Sequence, residues 1–216
     1  QELWAELAGA PVLTFAHHSA GAPVATDWGI PPDPVLEPVT EIVSVHGSSE
    51  SFDSPLPVRG MLEGNTVRDA LGRGYRLGFV GSGDSHDGHP GLVQLADGAS
   101  GGLAGILSEQ LTREAVLAAL RARRSYATNG PRIVLDVTLD GRPMGSSLPA
   151  GTGKKLAVRV AAPEGALESI DHPVIAKKRY HEDTKNSKNT KKTLNAENAE
   201  HAEIRCDQPA GRAGRA

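Results

Sequence analysis

Three short, largely apolar runs, far apart in the chain, each lead directly into side chains that can hold a metal ion. Residues 12–16 (Val-Leu-Thr-Phe-Ala) run into His17 and His18, residues 39–45 end at His46, and residues 77–80 (Leu-Gly-Phe-Val) open a Gly-Ser-Gly-Asp-Ser-His-Asp-Gly-His stretch at 81–89. Short runs of this kind, bounded by Gly and Pro, read as buried strands. Polar residues gathered at the carboxyl ends of several such strands are expected of an α/β unit whose site lies at the edge of a parallel sheet.

The residue types at these ends suit metal ligation. Asp84 and His86, one residue apart, can offer a carboxylate oxygen and an imidazole nitrogen to one ion or a close pair. Of the adjacent His17 and His18, an extended backbone turns only one toward a given ion. His17 is the choice, with His18 open as the alternative. Any one of these residues alone reads equally as a hydrogen-bonded loop residue, and it is the repetition at three strand ends that favours a metal. Glu41, inside the second run, is either an interior carboxylate near the site or a satisfied polar residue, the second reading being preferred. Asp87 and His89 read as turn residues.

Composition narrows the function classes. The 216 residues are 38% hydrophobic but only 4% aromatic, so a core must be built from Val, Leu, Ile and Ala. A formal net charge of −3 gives no reason to expect nucleic acid or a membrane surface as a partner. The single cysteine, Cys206, excludes an internal disulfide framework and a cysteine-rich zinc site. No apolar run approaches the ~20 residues of a membrane span. No leader peptide is visible, which slightly favours a cytoplasmic protein, although the chain starts at Gln1 and its true N-terminus, with any signal peptide, is expected upstream.

Along the chain, residues 2–7 suggest the last turns of a helix, and residues 21–38, rich in Gly, Pro and Asp, a long loop of the covering or mobile kind. Asn65 or Thr66 can cap a short helix through Leu71, and Thr112 a longer one over 113–124, where Arg121, Arg123 and Arg124 suit the negative end of the helix dipole. Residues 133–139 alternate, turn at Asp140 and Gly141, and find a partner strand in Leu156, Val158 and Val160, the start of a small antiparallel β module. Before residue 172 there are 13 Lys or Arg against 20 Asp or Glu; from there on, 10 against 6. That basic, Asn- and Thr-rich tail has too few apolar side chains to offset the entropy of ordering and is expected to be disordered, with at most a marginal helix over 195–203. The expected organisation is a domain over 1–130, a partial β module over 131–171 and a disordered tail over 172–216.

Four stretches together carry a resemblance: Phe-Ala-His-His-Ser (15–19), Glu-Ile-Val-Ser-Val-His-Gly-Ser-Ser-Glu (41–50), Gly-Phe-Val-Gly-Ser-Gly-Asp-Ser-His-Asp-Gly-His-Pro-Gly (78–91) and residues 126–130. Over roughly residues 1–170 the chain resembles the polymerase and histidinol phosphatase (PHP) superfamily of metallohydrolases, in the branch of carbaryl-hydrolase-like enzymes. The resemblance implies the C-terminal part of a distorted seven-stranded β/α barrel. It also implies two or three divalent ions (zinc, manganese or iron) in the intact family, and His17, His46, Asp84 and His86 as ligands. The implied reaction is hydrolysis of a small-molecule phosphoester or carboxylic ester by a metal-activated water, with Asp84 and His86 as the candidate catalytic residues and Asp84 able to orient the water. The family's opening His-x-His motif has no counterpart here, so the expectation is an N-terminally truncated hydrolase. A non-catalytic remnant or binding module of the same fold family is the alternative.

Overall fold

The computed structural model describes residues 2–86, 88–89, 101–149, 154–162 and 200–206. The chain divides into two compact units, Gln1–Arg132 with Met144–Ser146, and Ile133–Pro143 with Ser147–Ala216.

The first unit begins with helix α1 (Glu2–Leu7), which buries none of its side chains. Residues 12–16, expected as the first strand, run extended beside β1 (Val39–Ser44) without forming a ladder. The backbone bonds explain why. Thr14 N donates to Leu36 O at 2.6 Å, and the next bond of a parallel pair would need an N–H at position 38. Pro38 has none. The following bond, Glu41 N to Ala16 O at 3.0 Å, is one residue out of register.

Strand β1 pairs in parallel with β3 (Gly78–Gly81), Val39 opposite Gly78 and Glu41 opposite Val80, and an irregularity at Ile42 shifts the register before Val43 meets Gly81. On its other side β1 turns through Val45 and His46 into the two-residue β2 (Gly47–Ser48), an antiparallel hairpin with Ser44 opposite Gly47. Helix α2 (Val67–Gly72) makes the crossover from β1 to β3. Thr66 caps it: its hydroxyl accepts from Asp69 N while the Asp69 side chain accepts from Thr66 N, a reciprocal capping box. Val67 and Ala70 face inward, Ala70 joining Ala16, Trp28 and Leu77 in a small core with Tyr75 against it.

The long loop at 21–38 is pinned rather than a loose cover. Trp28 is only 2% exposed, its Nε1 donates to Asn65 O at 2.9 Å, and Tyr75 donates its hydroxyl to Trp28 O at 2.8 Å. Beyond the 81–89 stretch, β4 (Leu103–Ile106), α3 (Arg113–Arg121) and β5 (Ser125–Thr128) follow, and β4 and β5 pair antiparallel. A Cβ on Gly81 would lie 2.7 Å from Leu103 O, so glycine is what lets the end of β3 approach the start of β4. The arginines at the end of α3 do more than complement its dipole. Arg121 donates to Ala10 O and Val12 O, both at 3.0 Å, and Arg123 to Arg76 O at 2.8 Å, tying loops from elsewhere in the unit to the helix.

The barrel expected from the resemblance is not formed. Among the described residues the strands fall into three small sheets, ordered β2-β1-β3, β4-β5 and, in the second unit, a four-stranded antiparallel sheet, with a single parallel pair of strands. A β/α barrel requires successive parallel pairs joined by crossovers. Here Pro38 removes the pairing before β1, and β4 and β5 turn to each other in antiparallel sense.

The second unit is an antiparallel sheet. Strand β6 (Val134–Leu139) pairs along its length with β8 (Lys154–Ala161), and β7 (Arg142–Pro143) folds back on β6 through Asp140 and Gly141, both left-handed as a tight primed turn requires. The alternation puts Leu156, Val158 and Val160 against Ile133, Leu135, Val137 and Leu139. The tail differs from expectation at one place: Glu200–Cys206 is strand β9, paired with β8, rather than disordered or helical. The free edge of β8 supplies the backbone partners that the tail's own composition does not. The rest of the expected disordered tail lies outside the described residues. No helix among the described residues is long and apolar enough to cross a membrane.

Candidate metal centre

Three chain segments deliver the site. The extended segment 12–16, held beside β1, ends at His17; the β1–β2 hairpin carries His46 in its turn; and Asp84 stands three residues past β3. His17 Nε2 and His46 Nε2 lie 2.8 and 2.7 Å from the same oxygen, Asp84 Oδ2. One ligand atom from each of the three residues lies within 4.8 Å of the others.

His86 stands at the margin. Its Nε2 is 3.5 Å from the other oxygen, Asp84 Oδ1, its ring centroid is 5.3 Å from that of His46, and it is 67% exposed, outside the three-residue group. His18, also outside the three-residue group, packs its ring against the cluster. Its ring centroid is 4.1 Å from His17 and 5.5 Å from His46, and its Nδ1 is buried without a hydrogen bond. Of the two adjacent histidines only His17 belongs to the three-residue group; the backbone at His18 is left-handed rather than extended, with a φ of +33°. Asp84 and His86 are left-handed too, with φ of +49° and +51°. Non-glycine residues adopt this region at a cost, and its use at Asp84, His86 and His18 together marks the kind of local strain that collects at functional sites. His89 O accepts from Ser85 Oγ at 3.3 Å in an exposed turn, and Asp87 lies outside the described residues.

Behind the cluster, Glu41 is 1% exposed and accepts on both oxygens: from His18 N at 3.1 Å on Oε1, and from Ser82 Oγ on Oε2, which also lies 2.8 Å from His17 Nδ1. It is therefore a satisfied polar residue and a neighbour of the site at once. Ser82 is the participant that reading the sequence does not single out.

The donor set suits a divalent cation. Asp84 Oδ2 is buried and makes no hydrogen bond of acceptable geometry, although two imidazole nitrogens stand within 2.8 Å of it. The short distances and the missing hydrogen bonds are reconciled if the three atoms converge on a common point rather than on each other. Two imidazole nitrogens and one carboxylate oxygen are donors that zinc, manganese and iron accept.

A family model described as "Protein of unknown function (DUF3604)" matches residues 91–138, which include β4, α3 and β5. An uncharacterized protein of Chlamydia pneumoniae is 37% identical over 137 residues, covering 58% of this chain and 22% of the relative. An uncharacterized protein of Chlamydia trachomatis is 30% identical over 166 residues, covering 65% of this chain and 27% of that relative. The chain thus spans roughly a quarter of the length of these curated relatives. No solved structure matches.

Proposed function

We propose that the chain carries the metal-holding part of a hydrolase that cleaves small phosphoesters or carboxylic esters, the reaction class of the PHP metallohydrolases. The observation that supports this reading is the convergence of His17 Nε2, His46 Nε2 and the buried, otherwise unbonded Asp84 Oδ2 from three separate segments. A zinc, manganese or iron ion held there supplies a positive charge that acidifies a water molecule and offsets the negative charge developing on an ester oxygen. The chain's own residues do the rest. His17 and His46 would hold the ion together with Asp84 Oδ2, which lies beside both their Nε2 atoms, while Asp84 Oδ1 is directed toward His86. In that arrangement Asp84 orients the attacking water, and the exposed His86 stands where it can exchange a proton with solvent or a leaving group.

The test is elemental analysis of the purified protein together with hydrolysis of bis-p-nitrophenyl phosphate and naphthyl esters. The expected result is a bound divalent metal and metal-dependent hydrolysis, with Asp84→Ala losing both. Protein that takes up no metal, or hydrolysis untouched by Asp84→Ala, overturns the proposal. Metal bound tightly without turnover of either ester class would instead identify a binding module.

A further inference from the structure

We infer that Glu41 is a positioning residue: its carboxylate fixes the tautomer of His17 and thereby turns the Nε2 lone pair toward the cation site. The inference rests on the metal reading above and adds to it the group that makes His17 a competent ligand.

The starting point is burial. Glu41 is 1% exposed, in the middle of β1, and a carboxylate in such a place must be met by donors. Three surround it. His18 N and Ser82 Oγ donate, one to each oxygen. An ionised Glu41 can only accept, and His17 Nδ1, 2.8 Å from Oε2, is then the donor. A neutral imidazole carries one ring proton. With that proton on Nδ1, Nε2 is left with a lone pair, and it faces Asp84 Oδ2 at 2.8 Å. Two lone pairs opposed at that distance repel unless they share a proton or a metal cation.

The placement also explains the choice of Ser82. Two residues before Asp84, it ties the loop after β3 to the same carboxylate oxygen that orients His17, so one buried side chain braces two of the three segments that supply ligands. A Glu41 that served packing alone would need only its bonds to Ser82 and His18 N. It would leave His17 free to protonate Nε2, the form that an imidazole ordinarily prefers in water and one that cannot bind an ion through that atom.

The experiment reads the tautomer directly. In nitrogen-15-labelled, metal-free full chain at about pH 8, where an ordinary imidazole is neutral, long-range proton–nitrogen spectra assign the ring protons, with His17→Gln identifying the signal. The expected result is a His17 ring that carries a proton on Nδ1, with or without a second on Nε2; a ring protonated at Nε2 alone overturns the inference. In parallel, calorimetric titration with cobalt(II) compares wild type with Glu41→Gln, which replaces one acceptor oxygen by a donor. A loss of roughly 10–100-fold in affinity is expected, with His17 moving to the Nε2-protonated form. Equal affinity in a folded Glu41→Gln overturns the inference. If Glu41→Gln does not fold, the wild-type tautomer decides. If wild type binds no cobalt, the metal reading fails, and the tautomer still decides the role of Glu41.

Discussion

Glu37 shows how a single carboxyl can couple this fold to pH. It lies just before Pro38 and is partly buried, and that burial pushes its pKa above the ordinary 4.5; a backbone hydrogen bond from Ala16 opposes the shift, and neighbouring Asp33 adds to it. A raised folded-state pKa means that the protonated form is the one the fold favours, so the stabilisation is complete below the unfolded value and is lost as pH rises through the folded value. Glu37→Gln should therefore remove Glu37's share of any loss in melting temperature as pH rises above the ordinary carboxyl range. Thermal melts across that range check it, and an unchanged profile would show that Glu37 is not strained by its surroundings. The three residues of the candidate site were readable one by one. His17, His46 and Asp84 each follow an apolar run, and that local signal survives in the structure. The pairing of His17 with Glu41 was not readable, because the two are 24 positions apart and meet only when 12–16 lies beside β1.

At the level of elements, local chemistry was the reliable guide where an element is stabilised by its own neighbours. Helix α2 begins at Thr66 because Thr66 and Asp69 satisfy each other's backbone N–H. Thr66→Ala should cost about 1 kcal/mol and lower the melting temperature by a few degrees, a shift that differential scanning calorimetry resolves. The β6–β8 pair was equally plain, since alternation alone selects the face that Leu156, Val158 and Val160 bury. Residues 12–16 have the composition of a strand and fail to become one because of a proline more than 20 positions away. Strand β9 is the converse case, a polar segment drawn into a sheet by an edge that its own sequence does not encode. Both outcomes turn on which backbone groups a partner offers, and hydrophobic patterning carries no record of that.

For the whole first unit, the proposed ligand set predicts a thermodynamic signature. An ion bound only by the folded form stabilises it by about 2.7 kcal/mol at a free concentration one hundred times its dissociation constant. Zinc or cobalt should accordingly raise the melting temperature of wild type, and EDTA should reverse the rise. Asp84→Ala should show neither effect, and an equal rise in that variant would place the ion elsewhere. The barrel expectation failed at this same scale. Motifs at strand ends report what lies at a site, whereas closure of a barrel depends on every successive strand finding a parallel neighbour.

The three proposed ligands are spaced 29 and 38 positions apart along the chain. An ion joining them closes two loops of that size, and closing loops removes disorder from the unfolded chain much as a covalent cross-link does. The chain's lone cysteine rules out an internal disulfide to do that work. A chelator would then act on this protein as a reductant acts on a disulfide-stapled one, loosening the polypeptide from His17 to Asp84 by withdrawing a single atom.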